Sequence, residues 1–421
     1  MSHSPLLLQL IVILGTARVL ALLLRYLGQP AVIGEMLAGI MLGPIVFGAL
    51  AQELHAALFA RESLGALTGL SQLGLVIFMF VVGAEMRMPT GVRTQMIAAT
   101  RVGVLTVVLP MLLGLAISPM LHPRFAPDGV SYWPFALFMA ASMAITAFPV
   151  MARILKDTHM THTPVGQLSL ASAAVTDVLA WVILALVVAL ISLDHGWVGF
   201  GRTVIGLVVV VGLAFGVVRP LISRVLQRHA SDGKPDGMVL ALLLVITFVF
   251  AAVTQWLQLH AVFGAFLFGA CLPRDDRLLH TLVERLEYMA IVVLMPVFFA
   301  LAGLNTTPDA FGGTGFGALG LILGAAIIGK IVGGLAGARW SGMDWHSSMA
   351  VGSMMNARGL MELIVMKIGL DVGVIGKEIF TMLMVMAILT TVMSTPLLMA
   401  FMRGRHPGKH AAGAALGESR Q

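Results

Sequence analysis

The chain has 421 residues, of which 59% are hydrophobic and only 11% are charged, and its mean hydropathy is +0.97. A soluble domain of this size carries about 25% charged residues, so the composition excludes a soluble globular protein and predicts an integral membrane protein. The single cysteine, Cys271, excludes an intrachain disulfide and a cysteine-based metal site, and the net charge of +6 arises from basic residues in short loops rather than from a nucleic-acid-binding surface.

Long apolar segments follow one another along most of the chain. A bilayer core about 30 Å thick needs about 20 apolar residues per helix, and this scale predicts about thirteen transmembrane helices. The first, near residues 5–26, follows no basic region and precedes no cleavage site, so we expect it to be retained. The ninth, near 259–272, is short. Most of the 26 Lys and Arg residues fall on one side of the membrane in this order, which predicts a cytoplasmic C-terminus.

Two of the predicted helices contain sequences that interrupt a helix. In the fifth, Pro149 removes a backbone donor, and the Thr146 hydroxyl can satisfy backbone groups that the interruption frees. The twelfth, near 346–369, contains polar residues and a glycine in an otherwise apolar run: Asn356, Arg358, Gly359 and Glu362. Both segments are therefore predicted to be broken helices.

The two broken helices are seven apart in the predicted order, which indicates internal symmetry. We expect a transmembrane domain over 1–402, built from two repeats of opposite orientation at about 5–192 and 237–402. A linker helix at about 202–226 joins them, and a short polar cytoplasmic tail follows at 403–421. Inverted repeats with a discontinuous helix in each half are typical of secondary transporters.

Asp177 is the single charged residue in the apolar stretch 168–192. A charged side chain in mid-membrane costs several kcal/mol, so such residues are rare and usually functional. Burial disfavours the charged form, and a proton and a metal cation then compete for the same oxygens. Asp177 is therefore predicted to bind Na⁺ or K⁺ transiently and to titrate. The alternative is an acid that hydrogen-bonds to a neighbouring helix for packing alone.

Three further charged residues inside the predicted spans are candidates for a role in the core of the bundle. Lys330 stands between glycines in AAIIGKIVGGLAG and is expected to be a counter-charge inside the bundle, the alternative being a lysine that reaches the interface. Arg358 and Glu362 are four residues apart and can pair on one helix face, in either a structural or a functional role.

Other titratable residues lie near predicted helix ends. Glu35 and Glu85 could line a cavity, but a structural or interfacial role is at least as well supported. His195 and His260 fall at the predicted outer face, where we expect them to be solvated or interfacial rather than pH-sensing.

Four motifs occur in a fixed order: ITAFPVMARIL, SAAVTDVLAW, GKIVG and NARGLMELIV. In this combination the chain resembles the monovalent cation/proton antiporter superfamily, and within it the plant-type cation/proton exchangers and their bacterial relatives. The resemblance covers roughly residues 6–402. It implies an all-α membrane fold of about thirteen helices, with inverted repeats, two crossed broken helices and a separate dimerisation domain, and hence a homodimer.

The resemblance also implies roles for individual residues. Asp177 matches the essential ion- and proton-binding aspartate, and Thr146 matches the unwound segment beside it. Lys330 matches the core lysine, while Arg358 and Glu362 belong to the motif of the second broken helix. The chain departs from the family at one position, because Thr176 stands where an Asn or Asp usually precedes the essential aspartate. Thr176 offers a hydroxyl, and together with Thr146 it is expected to bind the ion beside Asp177.

The function expected from the sequence is secondary active antiport. We expect exchange of K⁺ or Na⁺ for protons by alternating access, through the single aspartate and without enzymatic activity or a cofactor. Multi-pass insertion in the inner (plasma) membrane is expected, with lipid and the transported ions as the partners. A cation channel and a sodium-coupled organic-anion symporter are the alternatives, because both would use polar groups at the membrane midplane.

Overall fold

In the computed structural model the described parts of the chain are residues 5–85, 93–191, 196–229, 237–257, 259–273, 277, 281 and 283–402. Their regular secondary structure is entirely helical. The α-helices, in chain order, are α1 Leu6–Tyr26, α2 Ala31–Leu42, α3 Phe47–Leu50, α4 Gln52–Leu58, α5 Leu64–Glu85, α6 Arg93–Phe125, α7 Tyr132–Ala144, α8 Phe148–Asp157, α9 Pro164–Ile191, α10 Gly196–Leu213, α11 Arg219–His229, α12 Gly237–Trp256, α13 Ala261–Cys271, α14 Met295–Leu304, α15 Gly315–Trp340, α16 Trp345–Met355, α17 Leu360–Asp371 and α18 Lys377–Met402.

Ten helical segments in the described part of the chain are long and apolar enough to cross a membrane. The other three predicted spans are the two broken helices, whose halves are each too short, and the ninth, which is the 11-residue helix α13. The prediction of an all-α, multi-pass membrane protein is confirmed. The number of thirteen crossings stays a prediction.

The helices pack into two groups. One, which we call the core group, consists of α6–α9 and α15–α18, and the other, the frame group, consists of α1, α2, α5 and α12–α14. Inside the core group, α15 lies close to α6. A Cβ added to Gly333 would lie 2.6 Å from the Leu105 carbonyl oxygen, and a Cβ added to Gly337 would lie 2.5 Å from Val102 Cα. Small residues give membrane helices this close backbone contact.

The predicted domain organisation stays a prediction in its details. The linker helix expected at about 202–226 corresponds to α10 and α11, which a π-helical turn at Ala214–Val218 joins. The inverted relation of the two repeats likewise stays a prediction. The tail at 403–421 and His195 lie outside the described residues.

Candidate ion-binding site

The first broken helix is interrupted between α7 and α8. Ile145 and Ala147 have extended backbone angles (ψ 141° and 96°), so the helix stops after Ala144. Pro149 lies not in the break but in the first turn of α8, where the missing N–H is not needed by the helix. The break leaves the last carbonyl groups of α7 without partners inside their own helix.

The second broken helix is interrupted between α16 and α17, and it touches the first. The Ala147 N–H donates to the Ala357 carbonyl oxygen at 3.1 Å, so the two breaks contact each other through backbone atoms. Gly359 caps α17, and a Cβ there would lie 2.8 Å from Val150 Cγ2 on α8. The predicted crossing of two broken helices is thus present.

Two buried cations bind the free carbonyl groups at the C-terminal end of α7, which is itself buried. Lys330 Nζ donates to the Ala144 carbonyl and, at 2.6 Å, to Thr146 Oγ1. Arg358 donates to the Met143 carbonyl at 2.9 Å and to the Ser142 carbonyl at 3.4 Å. The C-terminal end of a helix carries a partial negative charge, so both cations lie where the helix dipole favours them.

Arg358 is fixed by an ion pair of its side chain and by two hydrogen bonds of its backbone. Its Nη1 lies 2.6 Å from Glu362 Oε1, and both side chains are fully buried. The Thr391 hydroxyl of α18 accepts from the Arg358 N–H at 2.9 Å and donates to the Arg358 carbonyl at 2.8 Å. Sequence reasoning missed Thr391, although the polar pair Thr390–Thr391 in an apolar helix was a visible signal. Asn356 Nδ2 donates to the Thr390 carbonyl at 3.4 Å, which ties this break to α18 as well.

Asp177 lies on α9 beside these groups and differs from them in its contacts. It is 3% exposed, and its Oδ1 is buried without a hydrogen-bond partner in the described part of the chain. Lys330 is near enough for its charge to act on Asp177, but the two do not form an ion pair within 4 Å. A buried carboxylate in this state can take up a proton or a small cation.

The two predicted threonine ligands are already engaged in this conformation. The Thr176 hydroxyl donates to the Ala173 carbonyl of its own helix at 2.8 Å and retains lone pairs. The Thr146 hydroxyl accepts from Lys330 and lies 3.4 Å from the Met355 carbonyl. The structure therefore brings Thr146, Lys330, Arg358 and Glu362 together around the breaks. Asp177 and Thr176 reach that cluster from the adjacent helix.

Two clefts lie near the predicted ends of the transport route. At the predicted inner face, a cleft of about 800 Å³ contains Glu35, which is 3.5 Å from Arg18, and Arg153 of α8. At the predicted outer face, a cleft of about 480 Å³ contains His260 and Asp371. Glu35 thus both lines a cavity and forms an ion pair.

His260 lines the outer cleft and is partly buried, so it is interfacial rather than fully solvated. It is the N-terminal cap of α13, where its Nδ1 accepts from the Val262 N–H at 3.4 Å. Burial lowers the pKa of His260, an effect that Asp371 opposes and Lys367 reinforces.

The comparisons with known proteins agree with this architecture. The family model described as "Sodium/hydrogen exchanger, transmembrane" matches residues 11–402. The chain belongs to this family. It is 37% identical over 390 residues to the Na⁺/H⁺ antiporter NhaS4 of Synechocystis, covering 92% of this chain and 95% of that protein. It is also 37% identical over 411 residues to the cation/H⁺ antiporter 17 of Arabidopsis thaliana, covering 96% of this chain and 49% of the plant protein.

The chain therefore spans about half the length of the plant relative but almost all of the cyanobacterial one. Among solved structures, the sodium proton antiporter MjNhaP1 of Methanocaldococcus jannaschii superposes with a TM-score of 0.58 at 16% identity, covering 95% of this chain and 98% of the other. That likeness supports the fold. The resemblance to cation/proton antiporters is confirmed, and antiport is favoured over the channel and symporter alternatives.

Proposed function

We propose that this exchanger moves one monovalent cation, K⁺ or Na⁺, against one proton through Asp177. The observation that carries the proposal is the contrast between the two buried acids of the core group. Glu362 is neutralised by Arg358 at 2.6 Å, whereas Asp177 lacks an ion-pair partner among the described residues. An unpaired buried carboxylate is stabilised by a bound proton or cation, and competition between them gives exchange.

Lys330 and Thr146 support the site instead of carrying ions. Because Lys330 is anchored on the Ala144 carbonyl and on Thr146, it holds the end of α7 and supplies a fixed positive charge near Asp177. Thr146 becomes a better ion ligand when Lys330 releases its hydroxyl oxygen, because the lysine ammonium and a bound cation repel each other. Thr176 and the carbonyl groups of the breaks are the proposed oxygen ligands beside Asp177.

Both K⁺ and Na⁺ are proposed as the exchanged cation. Selectivity for a cation depends on the number of oxygen ligands and on the size of the site. The name of the Synechocystis relative specifies Na⁺, and that of the Arabidopsis relative specifies no single cation. Both cations therefore belong in the test.

We also propose that the protein lies in the inner (plasma) membrane, with a cytoplasmic C-terminus, and that it forms a homodimer. The side preference of the basic loops supports the orientation. The family resemblance supports the dimer.

The test is cation-driven proton movement in liposomes with Na⁺, K⁺ and Li⁺ added in turn, comparing the parent protein with Asp177→Asn. Asparagine keeps the shape of the side chain but cannot alternate between charged and neutral forms, so exchange should be lost. Asp309→Asn is the matched control, because Asp309 is exposed in a turn where it accepts from Thr307. Near-parental exchange by the purified, folded Asp177→Asn protein would exclude Asp177 as the carrier.

A further inference from the structure

Trp181 connects the aspartate helix to the frame group. It follows Asp177 by four residues on α9, so the two side chains lie on the same helix face, one turn apart. The indole ring packs edge-on against Phe263 with 5.0 Å between ring centroids, and it stacks on Phe266 at 5.2 Å. Both phenylalanines belong to α13. We call Trp181, Phe263 and Phe266 the aromatic bridge.

The α13 side of the aromatic bridge is fixed in the frame group. A Cβ on Gly264 would lie 2.0 Å from the Phe250 carbonyl oxygen of α12, and a Cβ on Gly269 would lie 2.0 Å from the Phe80 carbonyl oxygen of α5. These contacts are between backbones, so α13 cannot shift alone. A sliding movement of the core group along the frame group would therefore separate Trp181 from its two partners.

Along α9 and α13, the aromatic bridge comes between the level of the outer cleft and the level of Asp177. On α13 the cleft is lined by His260, Ala261 and Val262, and Phe263 follows at once. On α9, Trp181 lies one helical turn closer to the predicted outer end than Asp177 does. Asp177 does not line the outer cleft. The order from outside to inside is thus cleft, aromatic bridge and carboxylate.

The geometry points to Trp181 as a positioning residue for exchange, whose ring closes the route from the outer cleft to Asp177 and must leave α13 in every transport cycle. The inference deepens the proposed function, since it assumes that ions reach Asp177. Trp181 is only 7% exposed, and its indole N–H has no hydrogen-bond partner in the described part of the chain. Apolar packing rather than a hydrogen bond therefore holds the indole ring in place, and such packing can be broken and remade.

The inference is tested by the accessibility of position 177 to a thiol reagent. The native cysteine is replaced by Cys271→Ala, and Asp177→Cys supplies the single target for a membrane-impermeant methanethiosulfonate added from either side. Adding Trp181→Ala should speed labelling from the outer side about tenfold, because each lost aromatic pair shifts an equilibrium by about two- to tenfold. Labelling from the inner side should not change. Trp181→Phe keeps a ring and should stay close to the parent.

Phe268→Ala is the matched control. Phe268 stacks on Phe80 at 5.5 Å entirely within the frame group, so its loss removes aromatic packing without touching the aromatic bridge and should leave labelling unchanged. Phe266→Ala opens the bridge from the α13 side and provides the second variant if Trp181→Ala does not fold.

Equal outer labelling with and without Trp181, or equal acceleration from both sides, overturns the inference. Since labelling reports access and not transport, these outcomes are independent of whether Asp177 carries the ion.

Discussion

Lys330 and Arg358 donate hydrogen bonds to consecutive carbonyl groups at the end of one helix, α7. Lys330 binds the carbonyl of Ala144, and Arg358 binds those of Met143 and Ser142. The two cations come from different helices of the core group, so the interrupted end of α7 is tied to α15 and to the second break at the same time. A helix end in an apolar interior needs such partners, because water does not reach its free carbonyls.

We expect Lys330→Met to lower stability without changing the number of protons exchanged per cation. Methionine has a side chain of similar length but leaves the Ala144 carbonyl without its hydrogen bond, which lowers the free energy of unfolding by about 1–3 kcal/mol. Thermal unfolding in detergent measures the loss. Lys367→Met is the control, because Lys367 pairs with Asp371 at an exposed position, where ion pairs contribute about 0–1 kcal/mol. A changed stoichiometry in Lys330→Met would show that the lysine itself carries protons.

The Arg358–Glu362 pair predicts an asymmetric response to mutation. Removing one member of a buried pair costs about 3–5 kcal/mol, since it leaves the other charge buried and unpaired. Arg358→Met should destabilise more than Glu362→Leu, because it also frees the carbonyls of Ser142 and Met143. The double variant should be more stable than Arg358→Met. Silent single variants, measured by thermal unfolding, would contradict a buried structural pair.

Much of this site was predictable because its signals are local. A charge in an apolar run identifies Asp177 and Lys330, and the four-residue spacing identifies the Arg358–Glu362 pair. What sequence reasoning missed depends on residues distant in the chain. Thr391 on α18 forms hydrogen bonds with the Arg358 backbone, and the aromatic partners of Trp181 lie on α13. Neither contact has a spacing rule, because it arises only when the helices pack.

The cap at His260 predicts an acid-dependent loss of stability. Burial lowers the pKa of His260 from its usual value of about 6.5, so the unfolded chain takes up a proton before the folded chain does. Stability from this residue is therefore complete above about pH 6.5 and declines as the pH falls toward the lower pKa of the folded state. Protonated Nδ1 also cannot accept from the Val262 N–H.

Two substitutions separate titration from capping at this position. His260→Asn keeps a capping acceptor but does not titrate, so its melting temperature should not show the acid-dependent decline. His260→Ala should be equally insensitive to pH but less stable by about 0.5–2 kcal/mol at every pH. If the parent and His260→Asn decline alike, other groups cause the acid sensitivity.

Thr176 leads to the prediction that transport is electroneutral. The residue before Asp177 carries only a hydroxyl, which donates to the Ala173 carbonyl at 2.8 Å, so it adds no titrating group. Glu362 is paired with Arg358, and Lys330 is bound to Ala144 and Thr146. Asp177 alone then carries either one proton or one monovalent cation, and the charge that crosses the membrane is the same in both directions.

The net charge moved per exchange cycle is measured in liposomes with an imposed diffusion potential. The potential is set by an ion that the protein does not transport. Cation-driven proton movement by the parent protein should be the same with and without the potential. Thr176→Asp would place a second acid beside Asp177 and should make proton movement depend on the potential. Thr176→Asn is its neutral control and should remain insensitive, because an amide does not titrate. If the parent protein itself responds to the potential as two protons per cation require, then Lys330 or Glu362 must release a proton in each cycle, and Asp177 is not the sole carrier.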